Sequence, residues 1–360
     1  MCPVEPIASE DLLHRLRQQL QRAVELEFST LPPYLTALYS IKEGSNQYAT
    51  SVIRSIAIEE MFHMTNAANV LIAIGGKPST THKGFVPRYP VNLPDGEVWF
   101  KAELRPFSRS ALEVFREIEM PAELVPEKGD ITIGDFYGQI ENTINSLVEL
   151  MGDDLFQIGD PEHQVDSKYF YGAEGVVEKV RDKDSAMFAL NSIIAQGEGA
   201  PNSAWNPSIH FPDNEATGIE SGDAQLFQQA EELAHYYRFD ELYRGRHYQH
   251  GDTPQSGPTG PSIDVDYHNV YPIIVNPCPK QYPKATPLYG FDHDFNVIFS
   301  QLLDTLQLAF NGEPQRLVTA VDTMFSLKYK AQQMMRIAIP NDSQGRHAAP
   351  TWQYLKPEHR

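Results

Sequence analysis

IAIEEMFHMTNAANVL, residues 56–71, reads as a buried helix that carries an acid and an imidazole inside its apolar stripe. Ile53, Ile56, Glu60, His63, Ala67, Val70 and Ile74 recur at helical spacing and share one face. Glu60 and His63 are three residues apart, so both project from that face. A bare carboxylate among apolar neighbours costs a large fraction of a domain's stability. It has to be protonated, paired or bound to a metal.

Outward from this stretch, the helix covers about residues 46–74 and stops at Gly75-Gly76. Before it, Ser9 followed by Glu10 and Asp11 has the form of a helix start. The stripe Leu13, Leu16, Leu20, Val24, Glu27, Leu31 continues from there, and the prolines of LPPY (31–34) predict a kink or an interruption. The spacing predicts further helices over about 109–119, 132–151, 184–198, 223–243, 292–310 and 315–338. The last two are separated by the breaker run Asn311-Gly312-Glu313-Pro314. Residues 77–130 and 152–183 read as insertions, the second with short strands around KYFYGAEGVVEKV, and residues 244–290 read as loop. The fold class expected is all-α, a four-helix bundle with long loop insertions and extra C-terminal helices. Residues 1–245 would form the bundle, and 246–360 a loop-rich segment with a helical pair packed on it.

A second Glu-x-x-His, Glu232 and His235 in EELAHYYRF, falls on the helix expected at 223–243. With 12 His in the chain, about one such spacing arises by frequency alone. Two copies on long helices with apolar neighbours, together with Glu27 in a third stripe, carry more weight. Two Glu-x-x-His helices plus one Glu from each of two others form the ligand set of di-iron and di-manganese carboxylate bundles. Four carboxylates balance two divalent ions, and two imidazoles add neutral nitrogen ligands. The fourth carboxylate has two candidates. Glu198 ends the stripe Met187, Leu190, Ile194, and Glu141 sits in mid-helix beside Tyr137, Ile144 and Val148. The candidate metal ligands are therefore Glu27, Glu60, His63, Glu232 and His235, with Glu198 or Glu141. Glu25, Glu59 and Glu231 flank this set and read as solvated or outer groups. The ordinary alternative is a pair of buried ionic networks in a helical core.

The net charge of -19, with no basic run of useful length, argues against a nucleic-acid or anionic-membrane partner. No apolar run is long enough to span a membrane. The start MCPVEPIASED lacks the pattern of a secretory leader, and two cysteines make no motif, so the expected location is the cytoplasm.

The runs ELEFSTLPPYLTALYSI (25–41), IAIEEMFHM (56–64), ITIGDFYGQIE (131–141), IIAQGEG (193–199), ELAHYYRFDEL (232–242), DFNVIFSQLL (294–303) and AAPTWQY (348–354) stand out together. They resemble the ferritin-like proteins grouped with iminophenyl-pyruvate dimer synthase, an enzyme type of bisindole pigment pathways such as violacein. The resemblance implies a ferritin-like bundle with a di-iron-type centre at Glu27, Glu60, His63, Glu232 and His235, and its QGEG run adds weight to Glu198. Asp135 stands where the group's IGEFY-like run has Glu. The function expected is oxidation of a small organic molecule by two metal ions, iron or manganese, with O2 as co-substrate. An electron donor and a homo-oligomer are compatible with this reading. That the substrate is an amine or imine of secondary metabolism rests on the resemblance alone. Iron storage, or metal binding without turnover, is the alternative.

Overall fold

In the computed structural model the described residues are 6–92, 101–121, 124, 132–170, 177–197, 205–207 and 231–360, with only the backbone described at 6–8, 205–207 and 231–232. The main helices are α1 (Pro6–Ser40), α2 (Gln47–Ala73), α3 (Arg109–Ile118), α4 (Ile133–Met151), α5 (Lys183–Gly197), α6 (His235–Arg244), α7 (Pro287–Ala309) and α8 (Leu317–Met335). Two short antiparallel ladders accompany them: β1 (Val91–Asn92) with β2 (Lys101–Ala102), and β3 (Trp205–Pro207) with β4 (Glu231–Leu233). The expected helical class holds.

The packing closes a ring of four helices. α1 lies on α2, α2 on α5, α5 on α4 and α4 on α1. The short helices α3 and α6 pack on each other, and α6 also touches α2 and α5. α7 and α8 pair, and α8 lies against α1. Trp352 fastens this outer layer. Its ring meets Phe295 and Phe299 edge-on, with centroids 4.8 and 5.2 Å away, and its Nε1 donates to Thr36 Oγ1 at 2.9 Å.

Local chemistry explains most boundaries. α2 ends where Gly75 turns to φ +73°, against Ile158. α4 starts with a reciprocal cap: Asp135 N–H donates to Thr132 Oγ1 at 3.0 Å, and Thr132 N–H donates to Asp135 Oδ2 at 3.2 Å. Asp135 is therefore a capping residue. The polar residues late in the opening stretch also have partners. Asn69 exchanges hydrogen bonds with Val165 and donates to the Glu178 carbonyl, and Asn66 Oδ1 accepts from Glu178 N–H, which ties the loop after α4 to α2.

Four expectations differ. α1 begins at Pro6, before Ser9, and runs unbroken through Pro32 and Pro33. Proline removes the donors for the Phe28 and Ser29 carbonyls, and Tyr89 Oη supplies one to Ser29 at 2.7 Å. The described part of 152–183 holds 3₁₀ turns and no strand, while residues 171–176, the middle of the run expected to hold strands, lie outside the described residues. α7 opens at Pro287, where proline suits the first helical turn. Finally, of the helix expected over 223–243, residues 223–230 lie outside the described residues, and 231–234 are not helical. Residues 231–233 pair with 205–207 as a ladder, and Ala234 is extended at φ −62°, ψ 160°.

Candidate metal centre

α1 contributes Glu27, and α2 contributes Glu60 and His63. His235 opens α6, and Glu119 directly follows α3. All five residues are buried, none more than 3% exposed. They form two groups that share Glu60: Glu27, Glu60 and His63, and Glu60, Glu119 and His235. In each group one ligand atom per residue lies within 4.8 Å of the others.

The histidines are oriented alike. His63 Nδ1 faces Glu27 Oε2 at 3.4 Å and Glu60 Oε1 at 3.5 Å. His235 Nδ1 faces Glu60 Oε1 at 3.0 Å and Glu119 Oε2 at 3.5 Å. The outer nitrogens are held from behind. His63 Nε2 lies 3.0 Å from Gln196 Oε1, and His235 Nε2 lies 2.6 Å from Glu59 Oε2. Oxygen acceptors there place the proton on Nε2 and leave Nδ1 to the centre. The rings stack with centroids 5.4 Å apart.

The carboxylates are held too. Tyr137 Oη donates to Glu27 Oε1, and Tyr34 Oη to Glu119 Oε1, each at 2.5 Å. Thr30 Oγ1 donates to Glu60 Oε2 at 2.7 Å. Behind His235, Arg238 grips Glu59 with both terminal nitrogens, Nη1 at 3.1 Å from Oε1 and Nη2 on Oε2, while Nη1 also meets Ser55 Oγ at 3.1 Å.

The electrostatics demand positive charge at the two Nδ1 positions. Burial pushes Glu27 up, and repulsion from Glu60 adds to this against the pull of His63. Burial also works against Glu60, but both histidines outweigh it and hold that carboxyl far below its usual range. Burial opposes charge on His63, yet Glu27 and Glu60 raise it to about 10. His235 is likewise raised against burial by Glu119, Glu59 and Glu60. Burial and the adjacent carboxylates keep Tyr34 and Tyr137 neutral, so they remain donors. The residues fit a metal pair. His235 Nδ1 is buried without a hydrogen bond, because Glu60 at 3.0 Å lacks the alignment one needs. Such an orphaned nitrogen between two carboxylates suits a cation.

Of the sequence candidates, Glu27, Glu60, His63 and His235 come together. Glu141 does not join them. It is half-buried on α4, with Oε1 buried and unbonded. Glu198 lies outside the described residues. Glu232 sits in β4, where its side chain is not described and the three-residue spacing to His235 is no longer a helical one. Glu119 was missed, although Leu112, Phe115 and Glu119 repeat the signal that marked Glu27, an acid ending an apolar stripe. Glu59, expected as a solvated or outer group, is fully buried behind His235.

Comparison with known proteins agrees with this architecture. A family model described as Ferritin-like matches residues 20–244. A Chromobacterium violaceum protein named 2-imino-3-(indol-3-yl)propanoate dimerase is 29% identical over 231 residues, 55% of this chain and 22% of its own length. The chain thus spans about a fifth of that relative. The crystal structure of a ferritin-like protein from Caulobacter vibrioides superposes with a TM-score of 0.57 at 20% identity, covering 94% of this chain and 98% of the other, which supports the fold.

Proposed function

The chain belongs to the ferritin-like family, and from that premise we propose that it is an oxidative enzyme with a di-iron centre. The observation that carries this reading is the pair of carboxylate–histidine groups joined through Glu60. Glu27 and His63 would hold one ion and Glu119 and His235 the other, with Glu60 common to both. Manganese suits the same donors. When bound, such a pair supplies the electron-transfer steps by which O2 oxidises a small organic molecule.

The chain's own residues prepare the site for that chemistry. Gln196 and Glu59 fix the rings with Nδ1 inward. Thr30, Tyr34 and Tyr137 hold the second oxygen of each carboxylate, so little reorganises when a cation enters. Burial keeps bulk water away.

The named activity of the Chromobacterium relative supports an imine- or amine-bearing substrate in secondary metabolism. A cytoplasmic setting and an external electron donor complete the proposal. Among the described residues no helix is long and apolar enough to cross a membrane. The test is metal content of protein produced with iron, followed by absorption spectra of the reduced protein exposed to O2. About two irons per chain and a new absorption band on exposure support the reading. One ion or none, with no spectral change, overturns it. Iron accumulating far beyond two per chain in cage-sized particles would assign storage instead.

A further inference from the structure

The two cation positions match in most respects. Each has one carboxylate of its own held by a tyrosine at 2.5 Å, and both share Glu60. They differ behind the histidines. His63 rests on the neutral amide oxygen of Gln196 at 3.0 Å. His235 rests on the carboxylate of Glu59 at 2.6 Å. A charge-assisted hydrogen bond of this kind is roughly twice as strong as a neutral one. It draws the Nε2 proton outward and makes Nδ1 a better donor to metal. Arg238 keeps Glu59 ionised and in place through two contacts, itself buried. The guanidinium cancels the carboxylate's charge at long range, and Glu59 Oε2 stays against the ring.

We propose that the two positions are unequal: the one built by Glu60, Glu119 and His235 fills first and binds more tightly, and Glu59 is the positioning residue responsible. The inference rests on the metal reading above. It gives the centre an order of assembly, with Gln196 marking the second, more exchangeable position.

The test is a titration of the metal-free full chain with Co²⁺ in the absence of air, followed by visible absorption and calorimetry. Two resolved steps are expected, the first about 10–100-fold tighter. His63→Ala keeps the tight step, and His235→Ala loses it. Glu59→Gln weakens the first step by about 10–100-fold and leaves the second in place. Because Glu59→Gln leaves Arg238 facing an amide, the reciprocal Gln196→Glu is the firmer arm. It should strengthen the second step, a gain that damaged folding does not produce. Two equal steps overturn the inference. So does a tight step that survives His235→Ala and is lost in His63→Ala. Two equal steps leave the metal reading standing, whereas fewer than two bound ions overturn the reading itself.

Discussion

Glu60 stands in both groups of the centre, so deleting it is not equivalent to deleting either neighbour. Glu60→Ala should lose both ions, while Glu27→Ala and Glu119→Ala should each lose one. Glu141→Ala should lose neither. Metal analysis after desalting reads these outcomes. A Glu119→Ala protein that keeps both ions would remove Glu119 from the centre. The residues legible in advance were those whose type clashed with their stripe. Glu27, Glu60 and His63 interrupt long apolar faces, and His235 has the same character in EELAHYYRF. Glu119 carried the same mark at the end of a ten-residue helix, where a stripe has too few turns to stand out. Gln196 and Arg238 were illegible for another reason. They reach His63 and Glu59 across 133 and 179 residues, and no local spacing encodes such contacts.

At the level of elements, the long helices α1, α2 and α4 could be read from periodicity, and their disagreements with the sequence reading concern backbone donors. Two prolines in α1 predict a break, yet the helix continues because a side chain from outside it satisfies a freed carbonyl. Tyr89 Oη gives its proton to Ser29 O, and burial keeps that phenol neutral. Tyr89→Phe should therefore cost about 1–3 kcal/mol, the penalty of an unsatisfied buried carbonyl. Denaturant unfolding of the metal-free protein measures this, and an unchanged midpoint would show that the carbonyl finds another donor. The start of α6 was misread because β3 and β4 compete for the same residues. Helical propensity at 231–234 is a weak prior, and pairing between distant segments overrides it at 231–233.

On the scale of the whole molecule, the centre concentrates charge in the interior of a chain that already carries a net -19. Without metal, protons on the histidines supply the missing positive charge. His63 is raised from 6.5 to about 10. Its contribution to stability is thus fully present below pH 6.5 and is lost as pH rises through about 10. A bound cation replaces that proton, and the dependence disappears. The melting temperature of the metal-free protein should accordingly fall across this interval, while the cobalt-loaded protein stays level and the gap widens. Two curves that run parallel would mean that His63 carries no proton in the empty site. The bundle's ring and the outer α7–α8 pair both follow from the positions of apolar stripes. The clustering of α3 and α6 over the centre does not, because short helices gain their order from what they pack on.

The clamp between Trp352 and Thr36 also bears on the timing of folding. Its partners are 316 residues apart, whereas α1 meets α2 across residues 41–46 alone. Loop-closure entropy makes the near pairing early and the distant one late. The helix carrying Glu27 therefore docks on its neighbour before its outer side is fastened. A contact formed after the folding barrier acts on unfolding, so Trp352→Ala should leave the refolding rate nearly unchanged and shorten the lifetime of the native state.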